Sequence, residues 1–555
     1  MGQRLGPQRG GGAPATEPAT AAGWLRAGCR YAPAAAAGAF VLAQLLLVIP
    51  GTGLGWDEIV YVSQVEPGTP TAYFSAPRAR GVSWLAAPAA ALAGSAAHPA
   101  VLRTYLALLS GLGLLIALRA WRRLLPPAVL GCAGLLFASL WITLYYGPRA
   151  MPNLWCALGA LAATGWFLRA VAPPCRGTPA GHRALLLAGA AVAFVTAMRP
   201  GDGAWLTLPL TAAALLIRPW RRAPTVLVPP AAFAVGAAPW LIEAYTSYDG
   251  PLARVERAGE IQGGMGLRLA VDDQVRSLAG RTLCRPCDVP WSHPWTAAWW
   301  LVLPVLTALG VWCARRAGRG PAALLAVAVA GCLAVTYLFT IDYAAPRFLL
   351  SAYALLALPV AEGVVTAARA VTASRPAGPA RSGQQWWRAA AGAALTAALL
   401  AHLAVQYAVL AQASERSRRQ HRDLTAAATE LRRHAVRPPC VITGGDYVPI
   451  AHYTGCSSRQ PAGHDDSITS GRLLALGRTM PLVVLTAPGR PRPSLARDLT
   501  PVTLPGGRVA WLPPPEREPA TRPARPPARV GRTGTSTPTD APSSRPTPRT
   551  TTPGP

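Results

Sequence analysis

Long apolar runs broken by short arginine-rich segments are the dominant pattern of this chain. The first run, Tyr31–Pro50, is long enough for a helix to cross a bilayer. Further runs follow at Leu102–Leu118, Pro127–Leu144, Leu154–Phe167, Ala184–Ala197, Ala204–Ile217, Thr225–Ile242, Thr296–Cys313, Pro321–Thr340, Phe348–Ala368 and Ala389–Leu410. Together they predict about eleven transmembrane helices, hence an all-α polytopic membrane protein. A shorter piece, Trp84–Leu92, is interrupted by Pro88 and predicts an interfacial helix.

Charge orients these spans. Arg26 and Arg30 precede the first run, and every second break afterwards is basic: Arg119, Arg122 and Arg123; Arg169, Arg176 and Arg183; Arg218, Arg221 and Arg222; Arg315, Arg316 and Arg319; Arg369, Arg375, Arg381 and Arg388. Positive charge stays on the cytoplasmic side, so the first run reads as an uncleaved signal anchor. The intervening segments then lie outside. They are a loop at 51–99, a short turn with Tyr145, Tyr146 and Arg149, the Arg199–Asp202 turn, and a long acidic loop at 244–293. Trp299-Trp300 and Trp386-Trp387 suit interfacial belts.

The spans occupy 24–411. Residues 1–23 predict a disordered cytoplasmic tail, and 514–555, nearly all Pro, Arg, Thr, Ser and Gly, a second disordered segment. Between 412 and 513 the pattern changes: Ala413–His434 has amphipathic helical spacing, while Cys440-Val441-Ile442 and Leu482–Leu485 read as buried strands. This predicts a small extracytoplasmic α/β domain at the C-terminal end.

Composition narrows the chemistry. The net charge of +29 is carried by arginine alone, with no lysine, which excludes a P-loop lysine or a Schiff base. The arginines cluster between spans, so they argue for membrane orientation and against a nucleic-acid partner. Four cysteines fall outside, and oxidising surroundings predict Cys440–Cys456 and Cys284–Cys287 disulfides. Cys284-Arg285-Pro286-Cys287 also reads as half a zinc site, but no second ligand pair accompanies it. Cys29, Cys132, Cys156, Cys175, Cys313 and Cys332 are expected to stay free.

Carboxylates are scarce, which singles out Gly55-Trp56-Asp57-Glu58-Ile59-Val60-Tyr61, just beyond the first run. An acidic pair there is either a solvated loop or the rim of a membrane active site. The pair, the Pro/aromatic loop after it, the interfacial helix, Arg103 opening the second span and Pro346-Arg347-Phe348-Leu349-Leu350 opening a late one resemble the GT-C glycosyltransferases. Within that superfamily the chain is most similar to the protein mannosyltransferase and aminoarabinose transferase group, and its terminal domain resembles those of actinobacterial members.

The resemblance implies an enzyme that moves a sugar from a polyprenyl-phosphate donor, of decaprenyl type carrying mannose or arabinose, to an extracytoplasmic acceptor. It implies Asp57 as general base with Glu58 beside it. Arg347, Arg103, Arg149 and Arg199 would face the donor phosphate, with Tyr61 and His293 as further substrate contacts. For His293 a satisfied interfacial histidine is the simpler reading. Some members carry a second acid in the second outer loop, and Tyr145–Asn153 has none. A divalent metal held by Asp57 and waters would bind weakly, so no cofactor is expected. The rivals are a transporter or flippase, which favours charged mid-membrane sites and internal repeats not seen here, and a non-catalytic cell-envelope assembly protein.

Overall fold

A computed structural model describes residues 21–514 apart from 94–98, 265, 286, 289, 292 and 373–381. Both predicted tails, save residues 21–23 and 514, and the Arg26 and Cys29 side chains lie outside the described residues. Helix α1 (Ala21–Ala43) runs into a π-helical turn, Gln44–Val48, and the short α2 (Trp56–Val62) follows. α3 (Gly81–Ala93) covers the short run Trp84–Leu92. The bundle continues through α4 (Pro99–Trp121), α5 (Pro127–Ala138), α6 (Trp141–Tyr146), α7 (Pro152–Val171), α8 (Pro179–Met198), α9 (Pro200–Leu216) and α10 (Ala223–Ser247). The long loop holds α11 (Pro251–Ile261) and α12 (Val271–Ser277), and α13 (Ala298–Arg316), α14 (Gly320–Phe339), α15 (Leu350–Thr372) and α16 (Ser382–Arg433) complete the bundle.

Among the described residues, nine helices are long and apolar enough to cross a membrane. The two remaining predicted spans, α5 and α9, are shorter. The run Pro127–Leu144 breaks because Leu140 is extended (ψ 129°) and the chain restarts as α6. The amide freed at Trp141 donates to Gln406 Oε1 of α16 at 2.9 Å, so the break leaves no orphan donor there. A second difference concerns the C-terminal side. The expected span Ala389–Leu410 and the separate amphipathic helix after it form one rod of 52 residues, about 78 Å long. No Gly or Pro interrupts the junction, and Glu415 pairs with Arg419 one turn on at 3.1 Å.

α7 is the axial helix and is almost wholly enclosed. Its small residues let neighbours approach: a methyl on Gly165 would lie 2.6 Å from the Trp121 indole nitrogen, which donates to Leu161 O at 2.9 Å. Around the outside, Leu46, Leu108, Leu186, Leu208, Leu227 and Leu301 are exposed, the girdle that lipid would cover.

The last domain is a five-stranded sheet in the order β2-β1-β3-β5-β4. β1 (Val441–Gly444) leads through α17 (Tyr447–Thr454) to β2 (Ser457–Ser458), then α18 (Ser470–Gly477), β3 (Leu482–Thr486), β4 (Thr500–Thr503) and β5 (Val509–Leu512). β1 is parallel to β2 and β3, with Val441 opposite Leu482, and the final hairpin closes antiparallel on β3.

This domain and α16 grip the segment between α1 and α2. Leu54 N donates to the Tyr453 hydroxyl at 3.0 Å, and the Tyr447 ring meets Trp56 edge-on at 5.0 Å. Arg418 donates to Pro50 O at 2.7 Å. Gly53 must be glycine, since a methyl there would sit 2.0 Å from His421 Nδ1. Cys284 is bonded to Cys287 and Cys440 to Cys456; Cys132, Cys156, Cys175, Cys313 and Cys332 carry free thiols. The second bridge closes a loop of 16 residues around α17. Replacing Cys440 and Cys456 by Ser is expected to lower stability by about 2–3 kcal/mol, read as a fall in the detergent-solubilised unfolding midpoint. An unchanged midpoint, or free thiols at both positions in non-reducing peptide mapping, would contradict this.

Candidate active site

The acidic pair opens α2, where the helix N-terminus favours negative charge. Glu58 turns inward. Its carboxylate receives a two-pronged contact from Arg103 (2.7 and 2.9 Å), Arg149 at 2.9 Å, and the amides of Gly55 and Ala150, each at 3.0 Å. Arg103 also donates to Pro148 O (3.0 Å) and Gly53 O, and Arg149 to Ser417 Oγ (2.9 Å) and Tyr145 O (3.1 Å). Glu58 is 2% exposed and Arg103 1%. Burial opposes the Glu58 charge, but Arg103 and Arg149 outweigh it and hold the carboxyl below the usual glutamate range.

Successive helical residues point about 100° apart, so fixing Glu58 inward turns Asp57 another way. Asp57, with 36% of its side chain exposed, faces a cavity of about 460 Å³. Its two oxygens meet Arg78 at 3.0 Å and Arg347 at 3.3 Å. Burial works against ionisation here too, and Arg78, Arg347 and Arg199 overcome it, keeping the carboxyl low. Arg347 donates in addition to Thr282 O (2.7 Å) and the Tyr146 hydroxyl (3.2 Å). Arg199, at the α8–α9 junction, lies over the Tyr337 and Phe348 rings (5.2 and 5.4 Å) with Nε 3.9 Å from Asp202. Tyr61 is one turn after Asp57 on the same wall, beneath the Arg78 guanidinium.

The cavity therefore gathers Asp57, Tyr61, Arg199 and Arg347 from the expected set. Glu58, Arg103 and Arg149 form the buried knot beside it. His293 lies elsewhere: exposed, it starts a short 3₁₀ turn whose Thr296 hydroxyl donates to its carbonyl at 2.7 Å. A fully buried arginine reaching a carboxylate is fixed in place, so Arg103 and Arg149 act on Glu58 and not on the cavity. Among the described residues no three His, Cys, Asp or Glu side chains converge as a metal site.

Sequence reasoning missed Arg78, Trp56, Arg285, Tyr343, His464 and Asp465 in the same wall. The signal for Arg78 was present, an arginine in the loop that directly follows the acidic pair. Its backbone is clamped by Arg254, which donates to Ala76 O (3.1 Å), Arg78 O (3.0 Å) and Trp240 O (2.7 Å) while pairing with Glu243 at 2.9 Å.

Comparison with solved structures decides the architecture. ArnT from Cupriavidus metallidurans, an aminoarabinose transferase, bound to undecaprenyl phosphate superimposes with a TM-score of 0.61 at 14% identity, over 89% of this chain and 98% of its own. The oligosaccharyltransferase AglB from Archaeoglobus fulgidus, in complex with an inhibitory peptide and a dolichol-phosphate, gives 0.51 at 14% identity over 82% and 69%. The chain has a GT-C-like fold, the one these two structures share. No family model and no curated protein matches the sequence. In this chain Asp57 opens α2, the first helix after α1, and Arg347 opens the turn into α15.

Removing one partner of a buried ion pair leaves an uncompensated charge, so Glu58→Gln is expected to cost about 3–5 kcal/mol, whereas Asp57→Asn should fold nearly normally. Because the folded-state Glu58 carboxyl is depressed, its contribution is complete above the ordinary value of 4.5 and fades as pH falls below it. Thermal unfolding of the two variants against pH checks both statements. Equal stability of Glu58→Gln and wild type would refute the anchoring role.

Proposed function

We propose that this chain is a membrane glycosyltransferase that moves a sugar from a polyprenyl-phosphate donor to a hydroxyl-bearing acceptor outside the cytoplasm, with Asp57 as general base. The observation that carries the reading is the Asp57–Arg347 pair in one cavity at the end of a GT-C bundle. A donor with a lipid tail must react at the membrane boundary, and both residues belong to helix starts there.

The chemistry follows from the charges. Asp57 accepts the acceptor hydroxyl proton as that oxygen bonds to the anomeric carbon. The bond from the anomeric carbon to the phosphate oxygen breaks, and its electron pair leaves with the phosphate. Arg347 and Arg199 face that anion, and a guanidinium fork suits phosphate geometry. Arg347 links the two halves. Once a phosphate engages it, Asp57 loses part of the positive charge that keeps it ionised and becomes a better base. The acceptor is a glycan, lipid or protein hydroxyl of the cell envelope.

Asp57→Asn is expected to lower sugar transfer from polyprenyl-phosphoryl-mannose or -arabinose by about 10²–10⁴-fold while keeping undecaprenyl phosphate binding. Arg347→Ala is expected to weaken that binding about tenfold to a hundredfold. A transfer rate for Asp57→Asn equal to wild type at equal expression would overturn the mechanism. Substrate flux with no glycosidic bond formed would favour a transporter.

A further inference from the structure

One wall of the cavity comes from the terminal domain, and one carboxylate there has no hydrogen-bond or ion-pair partner among the described residues. His464 and Asp465 line the same cavity as Asp57, about four hundred residues away in sequence. They sit in the segment between β2 and α18, which is pinned at its base. Ser467 N donates to Gln460 O at 2.8 Å, Gln460 N to Ser467 Oγ at 3.1 Å, and Gly444 N to Gln460 Oε1 at 3.1 Å.

Its crest is held from the bundle side. Arg257 of α11 pairs with Asp466, and Arg285 Nη2 lies 3.4 Å from His464 Nε2. Asp466 and His464 are thus occupied in docking the crest. Asp465, between them, is half-buried and makes no hydrogen bond or ion pair among the described residues. Its carboxylate, which accepts hydrogen bonds only, is thus open to a donor from a ligand in the cavity. Burial raises its carboxyl above the usual range; Arg78 pulls the other way and Asp57 adds to the rise.

The two sides of the cavity differ in what they can recognise. Arg347 and Arg199 stand at helix starts of the bundle, the side from which a lipid-borne phosphate would come. Asp465 stands on the domain side of a cavity that Trp56 also lines, its indole braced by Tyr447. A carboxylate and an indole lining one cavity suit a ring carrying hydroxyl donors and an apolar face. Of the arginines at that end, Arg78 is engaged by Asp57 and Arg285 lies against His464, so the Asp465 carboxylate favours a neutral hydroxyl-bearing group there over an anionic one.

We propose that Asp465 is an acceptor-positioning residue, accepting a hydrogen bond from a hydroxyl of a neutral saccharide acceptor and so presenting a second hydroxyl to Asp57. The proposal rests on the glycosyltransferase reading above. The appended domain is then a wall of the active site and sets acceptor specificity.

The test uses the full-length protein with polyprenyl-phosphoryl-mannose or -arabinose as donor and neutral oligosaccharides as acceptor probes. Asp465→Asn is expected to raise the acceptor KM about tenfold to a hundredfold, with kcat changed less than about threefold and the donor KM unmoved. Asp465→Glu is expected to recover part of the loss, and the unfolding midpoint of both variants to match wild type. An unchanged acceptor KM in an active wild-type background overturns the positioning role. A fall in kcat and in the midpoint together with a rise in donor KM shows a structural role instead. No transfer by wild type with either donor refutes the underlying glycosyltransferase reading itself.

Discussion

The buried carboxylate of Glu58, held by two arginines and two backbone amides, is the constraint on which the rest of this architecture depends. A charge that far from water persists only when fully paired and hydrogen-bonded. Here the partners come from α4, from the turn after α6 and from the start of α2 itself. Satisfying Glu58 therefore fixes three elements against one another. It also sets the rotation of α2, and with it the direction in which Asp57 looks. One acid of the pair builds the site, and the other occupies it.

The same economy appears around the cavity. Arg78 reaches Asp57 because Arg254, itself fully buried, clasps the backbone of the loop that carries it. Arg199 is steadied by Asp202 and two aromatic rings. Arg347 is shared between Asp57, a backbone carbonyl and a tyrosine hydroxyl. The cavity thus holds its cations in place without neutralising them completely, which is the condition for receiving a phosphate. The terminal domain closes the remaining side, and its seat on Leu54 and Trp56 lies immediately beside the acidic pair.

Much of this was legible in the chain because a bilayer imposes its own length on every apolar run, and because arginine clusters punctuate those runs. Asp57, Arg199 and Arg347 stood out as charges at the ends of apolar runs, apart from those clusters. The break at Leu140 was not legible: no glycine or proline signals it, and its stability comes from Gln406 on a distant helix. Nor was the continuity of α16, since the change from apolar to amphipathic pattern looks like a boundary when it only marks where the rod leaves the apolar layer. Glu58 and Asp57 are neighbours in sequence with opposite surroundings, a distinction that depends on where Arg103 and Arg149 end up. Asp465 lay beyond any local signal, because only the docking of the last domain brings it to the cavity.

The most direct test of the central claim is a structure of the full-length protein in a lipid bilayer with undecaprenyl phosphate bound. The account predicts the phosphate within hydrogen-bonding distance of Arg347, in the cavity that Asp57 faces, with Glu58 still enclosed by Arg103 and Arg149. A phosphate bound at the opposite end of the bundle, or Asp57 turned away from it on a different wall, would contradict the account.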